Sequence, residues 1–138
     1  MNIDLNKIPD PCYVLDESLL IRNLELLKRV QDEAGVSIIC ALKGFSFHAE
    51  FPLLKKYLQG ATASSLHEAR LVHEEMGEKA HTYCPVYIPG DFEEIRKISS
   101  HLAFNSLSQW EVYKDKVQGI SCGLRVNPGY SEISTELY

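Results

Sequence analysis

Metal-ligand spacings are missing from this chain. Its four cysteines, Cys12, Cys40, Cys84 and Cys122, stand far apart, with no C-x-x-C pair. Its five histidines, His48, His67, His73, His81 and His101, form no H-x-x-x-H pair. A zinc centre is therefore not expected. The cysteines, two of them inside predicted strands, read as small buried hydrophobes in a reducing compartment. Basic excess is missing too: 14 Lys and Arg stand against 19 Asp and Glu, a net charge of −5. That balance, with no basic cluster, argues against nucleic acid as a partner. No apolar run approaches the ~20 residues that span a membrane. The N-terminus, Met1-Asn-Ile-Asp-Leu-Asn-Lys-Ile8, has an early acidic residue and no apolar core of a signal peptide. These absences predict a soluble, cytoplasmic protein without a membrane or nucleic-acid partner.

What is present is an alternation of strands and helices. Leu20, Leu24, Leu27, Val30 and Ala34 follow helical spacing after Asp16, and Gly35 is a C-terminal stop. Val36–Leu42 reads as a buried parallel strand. A helix starts near Pro52 and stops at Gly60. Ala61–Ser64 is a second strand, and Ser65-Leu-His-Glu68 a capping box for the helix that buries Ala69, Val72 and Met76. His81–Cys84 is a third strand, followed by a short helix over Asp91–Ile98. His101–Phe104 is a fourth, and Ser106-Leu-Ser-Gln109 a second capping box before Trp110, Tyr113 and Val117. Ser121–Val126 is a fifth, closed by Asn127-Pro-Gly129. This is the cadence of βα units. The spacing predicts one α/β domain of 138 residues, with no internal linker.

Lys43 ends the most apolar strand. An ammonium at that depth is costly, so the expectation is a lowered pKa and a nucleophilic amine of the kind that forms Schiff bases with carbonyl cofactors. The alternative is a lysine whose stem lies on the core while its head reaches water. In α/β folds, chemistry collects at the carboxyl ends of strands. There the chain places Lys43, Ser64 and Ser65, Tyr83, Asn105 and Ser106, and Arg125. That set suits an anionic, hydrogen-bonding ligand such as a phosphorylated cofactor. Ser65 and Ser106 are also explained as helix caps alone.

These residues carry a resemblance. Pro11-Cys-Tyr-Val-Leu-Asp16 before an amphipathic helix, Ala41-Leu-Lys43, and Gly60-Ala-Thr-Ala-Ser-Ser-Leu-His-Glu68 are similar to the opening of the alanine-racemase-like enzymes that use pyridoxal 5'-phosphate. Ala41-Leu-Lys-Gly-Phe45, His101-Leu-Ala-Phe-Asn-Ser-Leu107 and Cys122-Gly-Leu-Arg-Val-Asn-Pro128 resemble the carboxynorspermidine decarboxylase branch of that family. The resemblance implies that Lys43 holds the cofactor covalently and is the catalytic residue. It implies that Ser64, Tyr83, Asn105 and Arg125 contact the cofactor. The implied substrate is a polyamine bearing an amino-acid end, carboxynorspermidine or carboxyspermidine, which loses carbon dioxide in norspermidine or spermidine biosynthesis. A homodimer is implied as well.

A complete (β/α)₈ barrel takes eight strands and about 250 residues. The five strands expected here amount to about five-eighths of such a barrel. The expectation is a partial cofactor-binding barrel domain over 1–138, inactive alone, whose residues 1–16 form a lead-in segment packing on an absent β domain. Three other readings stand beside this one. A complete five-stranded, flavodoxin-like binding domain fits the length. Another member of the same family, a diaminopimelate- or ornithine-type decarboxylase or an alanine-type racemase, fits the motifs. A non-catalytic partner of a longer homologue is the third.

Overall fold

The computed structural model describes residues 4–133. Five parallel strands form one sheet in the order β1-β2-β3-β4-β5: Cys40–Ala41, Ala61–Ala63, Ala80–Tyr83, Ser99–Phe104 and Ser121–Leu124. Each strand lies beside the next one in sequence. A flavodoxin-like sheet reverses direction at its first strand and reads 2-1-3-4-5. The strictly sequential order excludes that alternative. Five parallel units wound in a single direction follow the strand order with which a (β/α)₈ barrel begins.

Helix α1 (Glu17–Ala34) begins where Asp16 accepts the Leu19 N–H at 3.1 Å. It ends at Gly35, whose φ of 64° is the left-handed value that suits glycine. Leu24 is buried and Leu20 and Leu27 pack on the core, as their spacing predicts. Val30 and Ala34 do not follow: both are exposed, and Gln31 is buried between them. The Gln31 amide accepts the Ile38 N–H and donates to the Tyr57 carbonyl, each at 2.7 Å. Its two hydrogen bonds offset the cost of burying a polar group.

Those bonds correct the first strand. Val36–Leu42 was expected to be a buried strand, and β1 is two residues long. Gln31 takes the Ile38 N–H, and the Gln59 N–H takes the Ile38 carbonyl. Gly44 and Phe45 both donate back to the Ala41 carbonyl, so the chain turns there. Val36 and Ala41 are exposed.

The remaining strands alternate. Ala61 and Ala63, Ala80 and Thr82, and Leu102 and Phe104 are buried against helices α2 (Phe51–Leu54), α3 (Leu66–Leu71), α4 (Pro89–Lys97) and α5 (Leu107–Tyr113). Thr62, His81, Tyr83, His101 and Ala103 lie on the opposite, open face. Period-2 side-chain alternation produces this division. Phe92 and Tyr113 stack at 3.9 Å in the core, with Tyr87 edge-on to Phe92 at 5.3 Å. Cys40 and Cys84 are buried as expected, and burial pushes the Cys84 thiol up to about 11. Cys12 and Cys122 are exposed, contrary to expectation. Cys122 lies on β5, every residue of which is exposed.

Candidate active site

The tips of β3, β4 and β5 converge on one hydrogen-bonded cluster. Tyr83 donates its hydroxyl proton to Asn105 Oδ1 at 2.8 Å. Arg125 Nη1 donates to Tyr83 Oη at 2.9 Å and to Asn105 Oδ1 at 3.3 Å. The guanidinium carbon lies 5.6 Å from the Tyr83 ring centroid, within cation–π range. Register explains the meeting. Tyr83 pairs with Ala103, and Ala103 with Gly123. Asn105 and Arg125 each stand two residues farther along, one step nearer the rim and on the same face.

The same register locates Lys43 and Ser64. Ala41 pairs with Thr62, and Thr62 with His81. Lys43, Ser64 and Tyr83 are each two residues past that row. Lys43 lies in the turn after β1 and is exposed. The burial expected of it is therefore not found, because the strand ends at Ala41 and the chain turns there. Ser64 is exposed, and its backbone N–H donates to Glu68 Oε2 at 2.6 Å. Ser65 and Ser106 cap helices: each hydroxyl accepts the N–H three residues on, from Glu68 at 3.2 Å and Gln109 at 3.1 Å.

Residue spacing alone did not reveal two features of this face. His81 and His101, paired across β3 and β4, stack with ring centroids 3.9 Å apart and planes inclined by 17°. They line an open cleft of about 370 Å³ with Thr62, Tyr83, Ser121 and Gly123. Burial, then the neighbouring His101, hold the His81 imidazole below its ordinary pKa. The spacing of His81 and Tyr83 puts both on one face of β3, but the meeting with His101 depends on the register between β3 and β4. The second feature is the Tyr87 hydroxyl, which donates to the carbonyls of Thr82 (3.1 Å) and Ala103 (3.0 Å) and so ties β3 to β4 behind the cluster.

The donor set comprises an amine, a guanidinium, a phenol, an amide and a hydroxyl. By its chemistry such a set suits a ligand that is anionic and rich in acceptors, and hydrogen bonds join only Tyr83, Asn105 and Arg125 of it. No protein-family model matches the chain. It is 45% identical over 139 residues to a carboxyaminopropylagmatine decarboxylase of Synechocystis sp., covering 99% of this chain and 36% of that protein. It is 40% identical over 132 residues to a carboxynorspermidine/carboxyspermidine decarboxylase of Campylobacter jejuni, covering 96% and 35%. A crystal structure of carboxynorspermidine decarboxylase complexed with norspermidine, from Campylobacter jejuni, superposes with a TM-score of 0.86 at 38% identity. It covers 93% of this chain and 35% of that one. The chain matches the N-terminal part of the carboxynorspermidine decarboxylase fold. It spans about a third of the length of the curated relatives it matches. Those relatives are named as decarboxylases. Among the described residues, no helix is long and apolar enough to cross a membrane.

Proposed function

We propose that this chain supplies the first five strands of a pyridoxal 5'-phosphate-dependent decarboxylase acting on carboxynorspermidine or carboxyspermidine. The observation that carries the reading is the superposition, over nearly the whole chain, on a decarboxylase complexed with norspermidine. The donor set at the strand tips fits the cofactor. Lys43 would hold it through Nζ. Arg125, Tyr83, Asn105 and Ser64 would orient it from the neighbouring tips, with Arg125 countering negative charge. When bound, the cofactor supplies an electron sink for the pair released as carbon dioxide leaves. Lys43 must be neutral at Nζ to bond to the cofactor, and afterwards it is placed to carry a proton.

The family resemblance supports a complete (β/α)₈ barrel, a homodimer and a cytoplasmic setting for the whole enzyme. It also supports packing of the lead-in segment, whose Tyr13 is fully exposed, against a further domain. The test is reductive trapping. Borohydride added to the complete enzyme with its cofactor should leave the label on the peptide containing Lys43. A label on any other peptide refutes the assignment.

A second substrate is favoured by one observation: the relative at 45% identity is named for carboxyaminopropylagmatine. Rates of carbon dioxide release from that compound and from carboxynorspermidine, compared on the complete enzyme, separate the two.

A further inference from the structure

We propose that Gln109 is a positioning residue for the Tyr83–Asn105–Arg125 cluster. The proposal deepens the functional reading above and takes the ligand-holding role of the cluster from it. Asn105 is the hub: its Oδ1 accepts from both Tyr83 and Arg125. Yet Asn105 is exposed, just past the end of β4 at Phe104. Its own placement must come from somewhere else. The source is Gln109, at the third position of α5, whose Oε1 accepts the Asn105 backbone N–H at 2.7 Å. Gln109 Nε2 points to the Pro85 carbonyl at 3.4 Å, past the end of β3. One side chain thus fixes the backbone under the hub and reaches toward the strand that carries Tyr83.

A capping box returns the side chain of the third helical residue to the N–H of the cap itself. Here the target is one residue earlier, Asn105 rather than Ser106. The same displacement occurs at the β2–α3 junction, where Glu68 accepts the Ser64 N–H rather than that of Ser65. The tips of β2 and β4 are therefore held by the same device. At both, the residue held is a candidate ligand contact. The pair also shows which atom matters: glutamate serves at one junction and glutamine at the other, so the shared acceptor oxygen is the working part.

The chain, isotopically labelled, should be compared as wild type, Q109A and Q109E by NMR. Q109A should speed amide exchange at Asn105 roughly tenfold, the effect of losing one hydrogen bond of ordinary net strength. It should also remove the cross-peaks between the Arg125 guanidinium and the Tyr83 ring. Q109E keeps the oxygen and should keep both signals. Exchange at Ser64, held by Glu68, reports whether the rest of the fold stands. If Q109A loses that protection too, Q109M, with a similar stem and no oxygen, is read in its place. Neither signal involves a cofactor, so failure of trapping at Lys43 and failure of this inference are separate results. Arg125–Tyr83 cross-peaks that persist at wild-type intensity without the Gln109 oxygen, or that vanish in Q109E, overturn the proposal.

Discussion

At the scale of single residues, the open face of the sheet holds a histidine, His81, that resists protonation. His81 and His101 stack at 3.9 Å, and two imidazolium ions at that separation repel. Burial comes first, and His101 second, in holding His81 below its ordinary value. The sign follows from proton counting. The unfolded chain binds a proton at the ordinary histidine pKa of about 6.5, and the folded chain binds it at a lower pH. Stability is therefore full above that value and is lost as pH falls through it. H101Q removes the charge partner, so its urea midpoint should drop less than that of wild type between about pH 7 and pH 5. Parallel pH profiles for the two proteins would contradict this. Lys43 gives the opposite lesson about what single residues disclose. Its place at the tip of β1 was legible from Ala41-Leu-Lys43. Its exposure was not, because β1 ends at Ala41, where the Gly44 and Phe45 N–H groups donate back to the Ala41 carbonyl and turn the chain before Lys43.

At the scale of elements, Gln31 decides how α1 meets the sheet. It is 4% exposed, and its amide satisfies one donor and one acceptor from two separate segments, at Ile38 and Tyr57. Q31A leaves both backbone groups without that partner. The expected cost is about 2–3 kcal/mol, the penalty for buried polar groups that lose their bonds. L26A on the exposed side of the same helix should change stability by no more than about 0.5 kcal/mol. Denaturant midpoints check both, and a Q31A midpoint equal to that of L26A would remove Gln31 from this role. Most of the remaining elements were readable: Ser65 and Ser106 cap as their sequence positions imply, and Gly35 ends its helix in the left-handed region. The cluster of Tyr83, Asn105 and Arg125 was legible as three strand tips. Its hydrogen bonds were not, since register between strands far apart in sequence is fixed only when the sheet forms.

At the scale of the whole molecule, two surfaces are left to water that a finished α/β fold would cover. The face of the sheet opposite the buried side chains presents Thr62, His81, Tyr83 and His101 around a cleft of about 370 Å³. The β5 edge is exposed throughout, and Val126, Tyr130 and Ile133 beyond it are 80%, 72% and 62% exposed. An unpaired strand edge beside apolar side chains is a template for another chain. The net charge of −5 works against association, since like-charged copies repel. That repulsion acts over about 8 Å at physiological ionic strength, and shorter still in more salt. The apolar contact does not weaken in the same way. Association should therefore increase with added salt, and the weight-average mass from light scattering should climb above 15.6 kDa with concentration. V126K places a charge beside the open edge and should lower that mass. The same exposure predicts that this chain alone does not turn over substrate, because a face open to solvent does not strengthen the interactions that its donor set makes. A chain that stays at monomer mass in high salt, or that releases carbon dioxide from carboxynorspermidine unaided, would show that these five strands already form a closed working surface.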